Sequence, residues 1–160
     1  MGFPQPYKGN VRVGDWSQEV QEGVDTAIYA AGDVLFDTQE VPYAVMENGT
    51  SIIVSLVVTD YDDQGAAFDV LVFRSNPGSM GVLNLPIAIT AAAVDECIGY
   101  IPVGAADYTD LGTRRVGCVR TVGLQVHPTN STSIWVAGVC RGTPTYTTGR
   151  MRLLFGFMRG

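Results

Sequence analysis

Short apolar runs, broken at close intervals by glycine, proline, asparagine and aspartate, constrain the fold of this chain more than any other feature. The runs at 51–59, 68–73, 134–140 and 151–157 are rich in valine, isoleucine, leucine and phenylalanine. Each is too short for a typical amphipathic helix and suits a strand. The 19 glycines and 8 prolines are spread along the chain as punctuation between such runs. About eight to ten strands with a turn every 8–12 residues point to an all-β antiparallel sandwich or jelly roll.

The individual segments give sharper expectations. Residues 1–25 read as an extended N-terminal arm, with Pro4 and Pro6 favouring an extended path and Val11, Val13, Trp16 and Val20 as apolar anchors. A short helix at 16–21 is an alternative there. Residues 26–160 form the sandwich domain. Strands are expected at 27–29, 34–36 and 51–59, with 42–46 extended. Asn48-Gly49 marks a type I′ hairpin turn. Residues 51–73 read as one hairpin closed by the polar turn 60–65. Segment 83–89 is extended, and Pro86 places it at an edge. The one helix expected in the sandwich spans 90–97, capped by Thr90, and crosses between sheets. Further strands are expected at 99–103, 116–126 with bulges at Gly117 and Gly123, 134–140 and 151–157, with 107–112 a loop.

Composition bears on association. Hydrophobic residues make up 46% of the chain, charged residues only 16%, and mean hydropathy is +0.17. A lone domain this poor in charge exposes much apolar surface, and burial between subunits is the simplest remedy. An oligomer is therefore expected. Charge is also unevenly placed. Residues 1–110 hold all 16 acidic residues against Lys8, Arg12 and Arg74, a net of −13; residues 111–160 hold seven arginines and no acid, a net of +7. Either the signs mix when strands interleave, or the arginines form a face for an acidic partner. No nucleic-acid module accompanies them, so nucleic acid is not an expected partner. The longest apolar-rich run, 52–58, is too short to span a membrane, and MGFPQPYKGN has no apolar signal region, so neither membrane nor secretion is expected.

Residues that could carry chemistry are sparse. Asp60, Asp62 and Asp63 resemble a calcium loop in their spacing, but the run is short and lacks a downstream bidentate glutamate; a solvated hairpin tip is the better reading. His127 is the only histidine, with no GxSxG elbow to pair with. Cys97, Cys118 and Cys140 form no CxxC pair and read as small apolar residues. The sequons at Asn48 and Asn130 fall in turns. Phosphate-binding motifs are absent from the sequence. Trp16, Tyr29, Tyr43, Tyr61, Tyr100, Tyr108 and Tyr146 are spread aromatics that a sugar platform could use. The expectation is a protein that is not an enzyme and holds no cofactor or metal.

The segments IYAAGDVLFDTQEVP, SIIVSLVVTDYDDQGAAFDVLVFRSNP and RGTPTYTTGRMRLLFGF resemble small decoration, or cement, proteins of tailed-bacteriophage capsids. That resemblance covers residues 26–160 and implies a jelly-roll-like homotrimer bound to the major capsid protein on the outside of the virion, assembled in the host cytoplasm. A carbohydrate-binding or receptor-binding phage appendage is the alternative. By residue type and position, Trp16, Arg114, Arg115, Arg150 and Arg152 are the expected partner-binding residues.

Overall fold

In the computed structural model of the chain, residues 16–20 (backbone only), 24–147 and 150–159 are described. Strands dominate: β1 (Trp16–Val20), β2 (Val34–Val41), β3 (Ser51–Asp60), β4 (Phe68–Phe73), β5 (Cys97–Val103), β6 (Tyr108–Asp110), β7 (Arg115–Val119), β8 (Leu124–Val126), β9 (Ile134–Cys140) and β10 (Met151–Arg159). One helix, α1 (Ala91–Glu96), precedes β5, and a single 3-10 turn spans Ala105–Asp107.

The strands form two antiparallel sheets. The larger has the order β1-β10-β3-β7-β6, with β8 also pairing β3; the smaller has the order β2-β9-β4-β5. The pairings are nested: β1 with β10, β2 with β9, β3 with β7 and β8, β4 with β5. Such nesting is one long antiparallel ribbon folded at its middle and rolled up, and the further pairs β10–β3 and β9–β4 close the roll. This is the jelly roll among the double-sheet sandwiches.

The main core lies between the sheets. Phe36, Phe68, Phe155, Phe157, Leu56 and Leu153 are buried in it, with Phe36 and Phe68 meeting edge to face at 6.5 Å. Gly138 is required opposite Phe36: a Cβ there would lie 2.2 Å from the ring. Strand β3 follows strict in–out alternation except at Val54 and Ser55, where a register shift opposite Gly156/Phe157 puts both on the outer side.

A second cluster covers the outer face of the smaller sheet. Val34, Phe73, Met80 and Ala137 are buried in it, with Leu71, Leu83, Ile87, Ile89 and Trp135 packed against them. The cover is the excursion between β4 and β5. It is pinned by Met80 N–H to Asp37 Oδ1 (2.7 Å), by Asn84 N–H to the Val34 carbonyl (3.0 Å) and by the Arg74–Glu96 ion pair (3.1 Å). Hydrogen bonds from the Ser75 hydroxyl and then from Arg74 hold the Glu96 carboxyl below its ordinary range.

Several expectations are corrected. Residues 51–73 are not a hairpin: β3 and β4 lie in different sheets, and 60–67 is a corner between them. Asn48-Gly49 does turn, with Asn48 at φ 54, but it joins β2 of one sheet to β3 of the other. Helix α1 is capped by the Thr90 hydroxyl, which accepts from Ala93 N–H at 3.2 Å, yet it connects two strands of the same sheet. Residues 27–29 are not a strand, 42–45 turn and bend where an extended segment is expected, and 83–89 contributes only isolated bridges to Asp33 and Val34. The loop expected at 107–112 contains β6. The strand expected at 116–126 is two strands, β7 and β8, on one partner, separated at Gly123, φ 65. The alternative helix at 16–21 is instead β1, at the edge of the larger sheet. The rest of the proposed arm, residues 1–15 and 21–23, lies outside the described residues.

Candidate interaction face on the larger sheet

Register explains how the arginines come together. Asp60 ends β3 and is aligned with Met151 of β10 and Arg115 of β7. Tyr61 follows Asp60, Arg150 precedes Met151 and Arg114 precedes Arg115. These three therefore form the next row beyond the sheet, and alternation puts that row on the outer side. Both guanidinium carbons lie 5.0 Å from the centre of the Tyr61 ring. That distance is within cation–π range. Arg114 and Arg150 are exposed.

One outward row inward, Arg152, Thr59 and Val116 are aligned across the three strands; the next outward row is Leu154, Val57 and Cys118. Val54 and then Ile52 and Met158 continue the face toward the other end. These side chains are partly exposed, Met158 to 46%, and none belongs to either buried cluster. The outer face of the larger sheet is thus an apolar stripe with arginines at one end. Among the described residues, nothing covers it as the excursion covers the smaller sheet.

Of the residues expected to bind a partner, Arg114, Arg150 and Arg152 share this face. Arg115 sits at its end but is engaged internally: its Nε donates to Asp63 at 2.8 Å and its Nη2 lies 3.9 Å from Asp110. The hydrogen bond to Asp63 raises the Arg115 pKa further, so it stays charged at any accessible pH. Trp16 is placed by its backbone opposite Phe155; its side chain lies outside the described residues. The stripe is absent from the sequence-based expectations, because a segment expected as a strand does not by itself show which of its two faces the fold leaves open. A run apolar at both parities is the available signal, since it requires cover on two faces.

The other candidates are occupied differently. The Asp60 carboxylate is buried and accepts from Asp62 N–H (2.9 Å) and Gly65 N–H (2.7 Å), holding the corner together. Asp62 accepts from the Thr147 hydroxyl at 2.7 Å and Asp63 from Arg115, so the three carboxylates turn to three separate partners. Among the described residues no three His, Cys, Asp or Glu side chains group as a metal ligand set. His127 is exposed, and its Nδ1 donates to the Gly49 carbonyl at 3.1 Å. Cys140 is buried; burial pushes its thiol pKa up, and the Sγ–H donates to the Gly142 carbonyl at 3.4 Å, which leaves it unreactive as a nucleophile.

Near this end lie three tyrosines, Tyr29 and Tyr146 buried and Tyr108 partly buried. Burial pushes the hydroxyl of Tyr29 up to about 12 and those of Tyr108 and Tyr146 higher still. Tyr108 donates to the Ala66 carbonyl at 3.2 Å, whereas the buried Tyr146 hydroxyl has no hydrogen-bond partner among the described residues.

A separate cleft of about 410 Å³ opens on the smaller sheet, lined by Asp37, Glu40, Asn76, Ser79 and Trp135. Trp135 is aligned with Glu40 across the β2–β9 pair. Trp135 was not among the aromatics weighed from sequence, and it is the single aromatic residue lining this cleft. Among the described residues, no helix is long and apolar enough to cross a membrane. No protein-family model matches the chain, and no curated protein is similar to it.

Proposed function

We infer that the chain is a structural virion protein, a decoration protein that associates with copies of itself and packs on the major capsid protein. The observation that carries this reading is the apolar outer face of the larger sheet, which no described residue covers, with Arg114, Arg150 and Arg152 at one end. Apolar side chains supply area to bury, and arginines flanking them set register and discourage wrong partners. The jelly roll supports the reading only as a scaffold, since viral shells, lectins and cupins all use it. The resemblance in residues 26–160 supplies the identity of the partner. The only histidine, His127, is exposed and bonds a backbone carbonyl, so an assembly role fits the side chains better than catalysis.

The test is sedimentation of the purified chain alone and with capsid particles of the phage that encodes it. The expected result is a trimer that co-sediments with capsids at saturable stoichiometry. A monomer at high concentration that stays in the supernatant overturns the proposal.

The cleft at Trp135 supports a second reading, saccharide binding, because an aromatic residue, carboxylates and an amide line it together. A glycan array with no hits removes it.

A further inference from the structure

The self-association proposed above has so far no contact assigned to it, and the charge layout suggests one. The arginine corner presents guanidinium groups and the Trp135 cleft presents carboxylates. At the corner, two exposed guanidinium groups are gathered on one tyrosine. In the cleft, an indole stands beside the carboxylates of Asp37 and Glu40 and the polar groups of Asn76 and Ser79. A planar guanidinium both stacks on an indole and bonds a carboxylate through two N–H groups, so the cleft matches the corner better than it matches a lysine.

The two sites cannot meet within one copy. Tyr61 follows the end of β3, whereas Glu40 lies at the end of β2 that leads through the 42–50 loop to the start of β3. Strand β3 has ten residues, so the two ends of the sandwich stand about 30 Å apart. Arg114 and Arg150 can therefore reach this cleft only on another molecule.

We propose that Arg114 and Arg150 of one copy dock into the Asp37–Glu40–Trp135 cleft of a second copy of this chain. The contact is head-to-tail. Such heterologous contacts close into rings when the rotation allows, which is the form a homotrimer requires. The arrangement leaves the apolar stripe, further along the larger sheet, for the capsid surface. Asp37 is already partly committed, since it accepts from the Ser79 hydroxyl at 2.7 Å and from Met80 N–H. Glu40 is exposed and accepts from the Ser133 hydroxyl at 2.6 Å, so it is the more available partner.

This inference rests on the self-association reading, and the experiment separates the two. Sedimentation velocity over a concentration series compares the wild-type chain, R114E/R150E, E40R and the triple variant R114E/R150E/E40R, with circular dichroism melts to confirm folding. All substituted positions are exposed, so the folds should persist. Each of the first two variants should weaken association by about tenfold or more, and the triple variant, which swaps the charges of the Glu40 contact while Asp37 stays acidic, should recover part of it. Raising the salt should weaken the wild-type contact. Wild-type-like association in R114E/R150E and E40R overturns this contact but leaves self-association standing. A wild-type chain that is monomeric throughout overturns self-association itself. Unchanged association in E40R, together with quenching of tryptophan fluorescence by added oligosaccharide, assigns the cleft to a sugar and overturns the contact.

Discussion

The two sheets of this jelly roll face the same problem and solve it differently. Both are apolar on both sides: β4 and β9 in the smaller sheet, β3 and β10 in the larger. The smaller sheet covers its outer face with its own chain, because the excursion between β4 and β5 lays Met80, Leu83 and Ile87 over Phe73 and Ala137. The larger sheet keeps Val57, Leu154 and Cys118 partly exposed, with arginines at the end of the stripe. A covered face stabilises the fold of one copy. An uncovered face of similar composition is where this chain's apolar surplus is available to another molecule.

Substitutions can break that distinction. The largest expected effect is on the core common to both sheets: Gly138→Ala should cost about 3 kcal/mol, because the new methyl group displaces the Phe36 ring. On the covered face, Met80→Ala removes a buried side chain and should cost about 2–3 kcal/mol. On the uncovered face, Leu154→Ala should cost less than about 1 kcal/mol in the monomer, since its side chain is already partly in water. Chemical denaturation of the three variants checks the order. Equal losses for Met80→Ala and Leu154→Ala would erase the difference between the faces.

Alkali probes the interior that the sheets share. Tyr29, Tyr108 and Tyr146 all have raised pKa values in the fold, caused first by burial. Below about pH 10 they are neutral both folded and unfolded, so stability is unaffected there. Above it the unfolded chain loses protons that the folded chain keeps, and stability falls as pH rises toward 12 and beyond. Denaturation midpoints read against tyrosinate absorbance should show the fall, and Tyr29→Phe should lessen it. A flat profile to pH 12 contradicts the burial. The smallest expected effect is a gain: Tyr146→Phe removes a buried hydroxyl that has no partner among the described residues and should stabilise by about 1 kcal/mol. The matched Tyr108→Phe loses a hydrogen bond to Ala66 and should not gain.

Much of this layout was legible in the sequence, and the remainder was not for identifiable reasons. Strand β9 lies where its alternating run predicts, β3 nearly so, and Thr90 caps α1 as its hydroxyl suggests. Those are local signals. Pairing is not local. Asn48-Gly49 and the aspartates at 60–63 announce turns, but a turn within a sheet and a corner between sheets use the same residues. That is why 51–73 reads as a hairpin and is instead a crossing. Arg114 and Arg150 come together because register lines up residues that flank paired strand ends: Arg114, Tyr61 and Arg150 are far apart in the chain and adjacent in the same row. The Trp135 cleft gave no sequence signal, because Asp37, Asn76 and Trp135 come from distant segments joined only by the fold.

The most direct test of the uncovered face is the sedimentation of Val57→Glu/Leu154→Glu beside the wild-type chain, with and without capsid particles. Both side chains point outward from adjacent strands, so the doubly charged variant should fold. The expected result is that the wild-type chain binds capsids and the folded variant does not. A variant that binds capsids as well as the wild type would show that this face is not the contact.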